Sequence, residues 1–330
     1  MTRLISAKLV AILSLGMTVS IGIQPAQAED VDKFPSKSIH IVVPAAPGGV
    51  NDILARLIGQ KLTERFGHPV IIENRPGAGT IIGAAYVAHA TPDGYTILNA
   101  PLSTITINPA IYPKLSYNPK RDLVPISNIA SYPYILSVTN SAPPRTVSEL
   151  IAYTKANPKQ ANAGGAASIF LLMTELFKQK TGAQVQYVPF KGSNDANIAL
   201  ISGELLLSFV DSGPAAPQIR GGQFRQLAVT SKNRMKSFPD IPTLSEAGVP
   251  DMVIESWSGL LAPACTPAGI VKKLQDEVIK IVRMPDVQQR LRALELDPVG
   301  NTSEEFARTI EKDTETWASV AKAANIKIEQ

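Results

Sequence analysis

Cysteine is nearly absent: the 330 residues contain one, Cys265. A single thiol excludes an internal disulfide framework. With no histidine placed beside it, it reads as a small buried or half-buried side chain rather than a nucleophile. Histidine is almost as scarce. His40, His68 and His89 fall on a strand, in a turn and in a helix, and no H-E-x-x-H or comparable ligand spacing occurs. Zinc and other metal sites are therefore not expected. Charge is modest, with 32 Lys+Arg against 28 Asp+Glu and few basic clusters, which argues against a nucleic-acid partner. Nucleotide motifs are missing too. Gly77-Ala78-Gly79-Thr80-Ile81-Ile82-Gly83 is one residue too long for a dinucleotide fingerprint, and no acid follows the next strand, so it reads as a turn plus close helix packing. There is no G-x-x-x-x-G-K-[ST] and no G-x-S-x-G, so no cofactor and no common hydrolase chemistry is expected.

Only one long apolar run is present, Leu9 to Ile23, behind Arg3 and Lys8 and ahead of Ala26-Gln27-Ala28. It is short for a membrane span and has the form of a secretory signal peptide over residues 1–28. Losing the two leader cations takes the formal net charge from +4 to +2 over the remaining 302 residues. That length suits two domains.

What is present is a repeated rhythm. Ile39-His40-Ile41-Val42-Val43 is a short β-branched run, fit for a buried strand. Pro44-Ala45-Ala46-Pro47-Gly48-Gly49 breaks it, and Leu54, Leu57, Ile58, Leu62 and Phe66 then recur at helical spacing. In a strand, glycine turn and helix, the first helical N–H groups lack intrahelical partners and point into the turn. With the helix dipole they form a seat for an anion, although an ordinary connecting turn has the same letters. Asp52, in the first turn, reads as a cap.

A second strand over 69–74, a glycine turn at Arg75 to Gly79, a helix from Thr80 to Ala90 and a third strand at Tyr95 to Asn99 follow. This alternation predicts a parallel sheet with right-handed crossovers, and ligands lodge at the carboxyl ends of such strands, here the loops 44–51, 74–79 and 100–106. Residues 101 to 145 are proline-rich and read as extended crossing chain. Val147 to Ala156 is a helix capped by Thr146. From Gln160 the rhythm returns: a strand over 160–163, Gly164-Gly165, a helix with Ser168 as N-cap, a strand to Pro189, Lys191-Gly192-Ser193, a helix to Ser202 and a strand over 205–210. Met252 to Ala262 reads as a return crossing. Three helices close the chain, the last opened by the capping box Thr302-Ser303-Glu304-Glu305. Two such units can face each other across a cleft and hold a molecule at both ends, which suits a guest with two acceptor groups such as two carboxylates.

The stretch from Ile39 to Leu98, VPFKGSNDANIALISGEL, FRQLAVTSKNR, IPTLSEAGVP and the SW-x-GL-x-AP-x-x-TP pattern at Ser256 to Pro267 together resemble the periplasmic substrate-binding proteins of tripartite tricarboxylate transporters, the Bug or TctC-like family. The resemblance implies an α/β, two-domain periplasmic-binding-protein fold of type II-like form, each domain a mostly parallel sheet flanked by helices, with the ligand in the interdomain cleft. It places one domain at 29–130 plus 256–330 and the other at 131–255, with crossings near 124–134 and 253–262. In the family the P-G-G turn holds a carboxylate, which implies Pro47, Gly48 and Gly49, with Ala46 and Asn51 beside them. The second-domain loops match Gly164, Gly165, Ala166 and Ser168, and Lys191, Gly192 and Ser193.

Two departures stand out. Ile169-Phe170-Leu171-Leu172 replaces the family's Ser/Thr and His-Leu, and Phe170 reads as helix core from its spacing to Met173 and Phe177. Phe209-Val210-Asp211 sets the acid one place beyond the family's F-D, and a one-place shift turns a side chain to the other face of a strand. Asp211 stays a candidate, but the cleft is expected to be more apolar, with Ser103, Thr104, Thr106 and Ser168 as neutral hydrogen-bonding groups. The expected function is capture of a small organic carboxylate, a dicarboxylate or an aromatic acid, for membrane permease subunits, by a monomeric, non-enzymatic periplasmic protein. A sensing partner of a membrane receptor kinase is the alternative, and a secreted enzyme acting on small acids is a more distant one.

Overall fold

The computed structural model describes residues 30–328, so the leader expected over 1–28 lies outside the described residues. β1 (Ile39–Val43) is buried along most of its length because parallel neighbours flank it and helices cover both faces. α1 (Val50–Phe66) follows and ends where Gly67, at φ +72°, returns its N–H to the Thr63 carbonyl. β2 (Val70–Asn74), α2 (Ile81–Ala88) and β3 (Thr96–Pro101) complete the first parallel group, in the order β2-β1-β3. Gly83 fits α2 against this layer: a Cβ there would lie 2.8 Å from the Arg75 carbonyl oxygen and Pro44 Cα.

Beyond β3 the extended reading fails at first. Ser103–Ile107 is a π-type helical turn that runs into α3 (Asn108–Ile111), and α4 (Pro119–Asp122) follows. The run Thr104-Ile105-Thr106-Ile107 is β-branched, but it is wholly buried under the C-terminal helix, and packing overrides local preference. The extended chain then comes as one strand of 17 residues, β4 (Leu123–Thr139). α5 (Val147–Ala156), β5 (Asn162–Gly165), α6 (Ser168–Thr181), β6 (Gln186–Pro189), α7 (Ser193–Ser202) and β7 (Leu207–Asp211) repeat the strand–helix rhythm. α8 (Ala216–Arg220), β8 (Phe224–Val229), β9 (Glu255–Pro263), α9 (Ala268–Val282), α10 (Pro285–Ala293), β10 (Asp297–Pro298) and α11 (Ser303–Ala323) finish the chain.

β4 belongs to two sheets. Its first part, Leu123 to Pro133, runs antiparallel to β9, with β10 on its other side; its end, Tyr134 to Thr139, lies between β7 and β8. The sheets read β2-β1-β3-β9-β4-β10 and β8-β4-β7-β5-β6. Each is therefore mixed: three parallel strands come from the local rhythm, and the antiparallel members come from the chain passing outward through β4 and back through β9. Thr230 binds the two passages together. Its hydroxyl accepts from the Tyr134 N–H (2.9 Å) and donates to the Ile254 carbonyl (2.6 Å), while its own N–H and carbonyl serve the same two residues. α11 is fixed on the first sheet by Phe306, whose ring covers Gly259 and meets Trp257 edge-on at 4.9 Å. Cys265 is exposed rather than buried; at φ +67° it occupies a left-handed turn between β9 and α9 that points its side chain outward.

Candidate functional site

The carboxyl ends of β1, β2 and β3 face the turns that open α6 and α7 across a cleft of 690 Å³, floored by β4. On the first side, Ala46, Pro47, Gly49 and Asn51 line it, followed by the turn from Pro76 to Thr80 and by Ser103. Gly48 does not. Its N–H donates to Asp52 Oδ2 at 3.0 Å, and it holds φ +88°, where only glycine is free of strain. The N–H groups of Val50, Asn51 and Asp52 precede the first helical bond of α1, from the Ile53 N–H to the Gly49 carbonyl, and Val50 and Asn51 line the cleft.

Asp52 is the clip behind this turn. Burial pushes its carboxyl up, but hydrogen bonds from Arg56, Gly48 and Asn74 outweigh that and hold it below the usual carboxylate range. Asn51 is pinned as well: its Oδ1 lies 2.7 Å from the Ser258 hydroxyl, and its carbonyl accepts from Asn99 Nδ2 at 2.7 Å. Ser103 differs. Its hydroxyl is buried, lines the cleft and has no hydrogen-bond partner among the described residues. Thr104 and Thr106 are spent locally, Thr104 on Thr80 Oγ1 (2.7 Å) and Thr106 on the Leu102 carbonyl (2.9 Å).

On the second side, Ala166, Lys191, Gly192 and Ser193 line the cleft, but Gly164, Gly165 and Ser168 do not. These three are corrections with a common cause: the space around them is already filled by the protein. A Cβ on Gly165 would overlap Phe170, and its carbonyl accepts from the Phe190 N–H and the Tyr187 hydroxyl, both at 2.9 Å. Gly164 is enclosed by Leu205 and Phe190. Ser168 does not cap α6, where Ala167 is N-cap; its hydroxyl donates to Asn108 Oδ1 at 2.7 Å and so ties the two sides together. The sides stand close: a Cβ on Gly48 would lie 3.2 Å from Asn194 Nδ2, and one on Gly192 3.9 Å from Ala46 Cβ.

Asp211, kept as a candidate although a one-place shift would turn it to the other face, lines the cleft. Parity explains the result. Phe209 and Asp211 share a face of β7; Phe209 packs on Phe177 of α6, and Asp211 ends the strand beyond that core, in register with Tyr134. Burial raises its carboxyl to about 6, a rise limited by a hydrogen bond from the Ser193 hydroxyl. Tyr132, Tyr134 and Phe170 wall this end, with ring centroids 5.9 and 5.5 Å apart in edge-on pairs. Phe170 is thus both core and cleft wall. Burial also holds both tyrosine hydroxyls protonated, well above their ordinary range.

Sequence reading missed the tyrosines, and of the loop 74–79 that it set at the ligand edge of the sheet it named no single residue. The signal for the first was alternation, since residues 132 and 134 share a face of a strand that crosses between sheets. For the second it was Gly77-Ala78-Gly79, which supports a left-handed turn carrying Ala78 at φ +47° and Thr80 at φ +80°. Thr80 is held there by Thr104 and by Asn108 Nδ2. Among the described residues no three His, Cys, Asp or Glu side chains are grouped to hold a metal.

Residues 54–326 match the model of the tripartite tricarboxylate transporter family receptor, TctC. The protein BugT of Bordetella pertussis (strain Tohama I) is 30% identical over 99% of both chains. Among solved structures, R. palustris Rpa4515 with adipate superposes with a TM-score of 0.86 at 34% identity, over 90% of this chain and all of that one. MatC from Rhodopseudomonas palustris with bound malate gives 0.83 at 32%, over 87% of this chain and 99% of that one. The mixed α/β architecture is that of the periplasmic binding proteins. With the family matched over most of its length, this chain belongs to the TctC family of tripartite tricarboxylate transporter receptors and is a solute-binding protein rather than an enzyme.

Proposed function

We propose that this protein captures a small organic carboxylate in the periplasm and delivers it to the membrane permease subunits of a tripartite tricarboxylate transporter. One observation carries the reading: the open N-terminus of a long helix and an unpartnered buried hydroxyl, Ser103, face the same enclosed cleft. Helix N–H groups and a neutral hydroxyl bind a carboxylate without a basic side chain. The ligands carried by Rpa4515 and MatC, adipate and malate, are both small carboxylates and support this class. The aromatic wall favours an apolar or aromatic body between the ligand's ends.

In this reading residues 29–130 with 256–330 form one lobe and 131–255 the other, and the lobes pivot where β4 and the chain before β9 pass between them. The leader of residues 1–28 directs export, and the receptor works as a monomer. The test is calorimetry and thermal shift over mono-, di- and tricarboxylates, on protein freed of co-purified ligand by unfolding and refolding. A specific acid should raise the unfolding temperature in proportion to the logarithm of its concentration. If none does, the reading fails.

A further inference from the structure

The turn between β2 and α2 carries a residue whose type does not suit its backbone. Thr80 stands at φ +80°, where a β-branched side chain is strained and glycine is not. It is the N-cap of α2, yet its hydroxyl makes no capping bond. Strain of this kind persists only where the surroundings hold it, and it gathers at ligand clamps. Thr80 lines the cleft and is 8% exposed.

Counting protons shows what the hydroxyl is left to do. A hydroxyl oxygen has two lone pairs and one proton. Thr80 Oγ1 accepts from Thr104 Oγ1 at 2.7 Å and from Asn108 Nδ2 at 3.2 Å, which fills both lone pairs. Its own proton has no acceptor among the described residues. The reverse direction, from Thr80 to Thr104, would strand a proton on Thr104, which is wholly buried and does not line the cleft. Asn108 is wholly buried too, and its amide has one workable orientation. Nδ2 also donates to the Gly79 carbonyl at 2.9 Å, so Oδ1 is the atom that takes the Ser168 proton at 2.7 Å. Ser168 opens α6 on the other side of the cleft and does not line it.

We propose that Thr80 is a ligand-binding residue that donates its hydroxyl hydrogen to the bound carboxylate, and that Asn108 is the positioning residue that couples this donor to Ser168 across the cleft. The proposal rests on the reading that the cleft takes a carboxylate. It deepens that reading by giving the anion a second neutral hydroxyl besides Ser103 and a link to closure. With the two sides together, Ser168 fixes the Asn108 amide, and Asn108 and Thr104 fill the lone pairs of Thr80. The remaining proton is then aimed at the one open space beside it, the cleft. With the sides apart, the amide loses the bond that steadies it and the donor loses its fixed aim.

The probe is whichever of adipate, malate, benzoate and terephthalate binds wild type most tightly in calorimetry. Thr80→Gly removes the hydroxyl and suits the left-handed backbone, so the turn keeps its shape. It should bind the probe about tenfold or more weakly, and Thr80→Ser, which restores the hydroxyl, should return to within about threefold of wild type. A purely structural Thr80 predicts the opposite order, with glycine at least equal to serine. Ser168→Ala should weaken the probe about three- to tenfold, through faster release at an unchanged association rate in stopped-flow measurements. In the Thr80→Gly background the same change should cost nothing further. Thr80→Gly binding as tightly as wild type or as Thr80→Ser, or losses from Thr80→Gly and Ser168→Ala that simply add, overturns the proposal. Should the turn variants fold poorly, Ser168→Ala alone decides, and an unchanged release rate sinks the coupling. Each of these failures leaves the carboxylate reading standing; if no acid binds wild type, that reading falls and this one with it.

Discussion

Ser103 is a buried hydroxyl without a partner among the described residues, and Asp211 is a buried carboxylate with a hydrogen bond from Ser193 and no cation beside it. For Ser103 the consequence is separable. A buried hydroxyl without a partner adds nothing to folding, so Ser103→Ala should leave the ligand-free unfolding free energy unchanged or raise it by up to about 1 kcal/mol. The same change should weaken carboxylate binding about five- to twentyfold. A clear loss of ligand-free stability in denaturant titration would mean that the hydroxyl has an internal partner after all. For Asp211 the sign follows from burial. Its folded-state carboxyl is raised from 3.8 to about 6, so between those pH values the folded chain holds a proton that the unfolded chain has released. Stability from this group therefore falls as pH rises through that window and stays low above it. Ligand-free Asp211→Asn should match wild type near pH 3.8 and exceed it by up to about 3 kcal/mol at neutral pH, as read from unfolding at a series of pH values. Asp52 has the opposite sign, because its bonds to Arg56, Gly48 and Asn74 hold it low; its contribution is present at neutral pH and is lost below the ordinary aspartate range.

β4 passes from one sheet to the other, and a single threonine outside it ties this passage to the returning chain. Thr230 satisfies both passages between the sheets through Tyr134 and Ile254. Thr230→Val keeps the shape and removes the hydroxyl, leaving the Tyr134 N–H without its acceptor in a buried position. The expected cost is about 1–3 kcal/mol of stability in denaturant unfolding. A variant as stable as wild type would show that the crossing does not depend on this bond. Much at this scale was legible. The α5 cap at Thr146 and the α11 capping box at Thr302 form as their letters suggest, because a cap is a contact between neighbours in sequence. The helical turn at Ser103–Ile107 was not legible, because its conformation is set by α11, which lies almost two hundred residues later.

At the scale of the whole molecule the two sides are in contact, and among the described residues polar links outside the cleft join them at two places. One is Ser168 on Asn108; the other is Arg220 on Glu295, beside the Ser212 hydroxyl on the Glu295 carbonyl. Arg220 is largely exposed, so the ion pair contributes modestly, about 1 kcal/mol at most. Glu295→Gln should therefore speed release of the best-bound carboxylate about two- to fivefold with little change in its association rate, measured by surface plasmon resonance. An unchanged release rate would remove this pair from any part in closure.

The sequence by itself determined the family, the two strand–helix rhythms and the loops that meet at the cleft, because periodicity, turn glycines and caps are written in residues a few places apart. It did not determine which atoms within those loops remain free. Gly48, Gly164, Gly165 and Ser168 carry the letters of a binding loop, yet Asp52, Phe190, Phe170 and Asn108 occupy them; Asp52 and Phe170 come from the helix that each turn opens, and Phe190 and Asn108 from other parts of the chain. The face shown by Asp211 and the absence of a cation beside it were likewise decided only by packing. A free hydrogen-bonding atom is what remains after every neighbour in space has been counted, and neighbours in space are what the tertiary structure supplies.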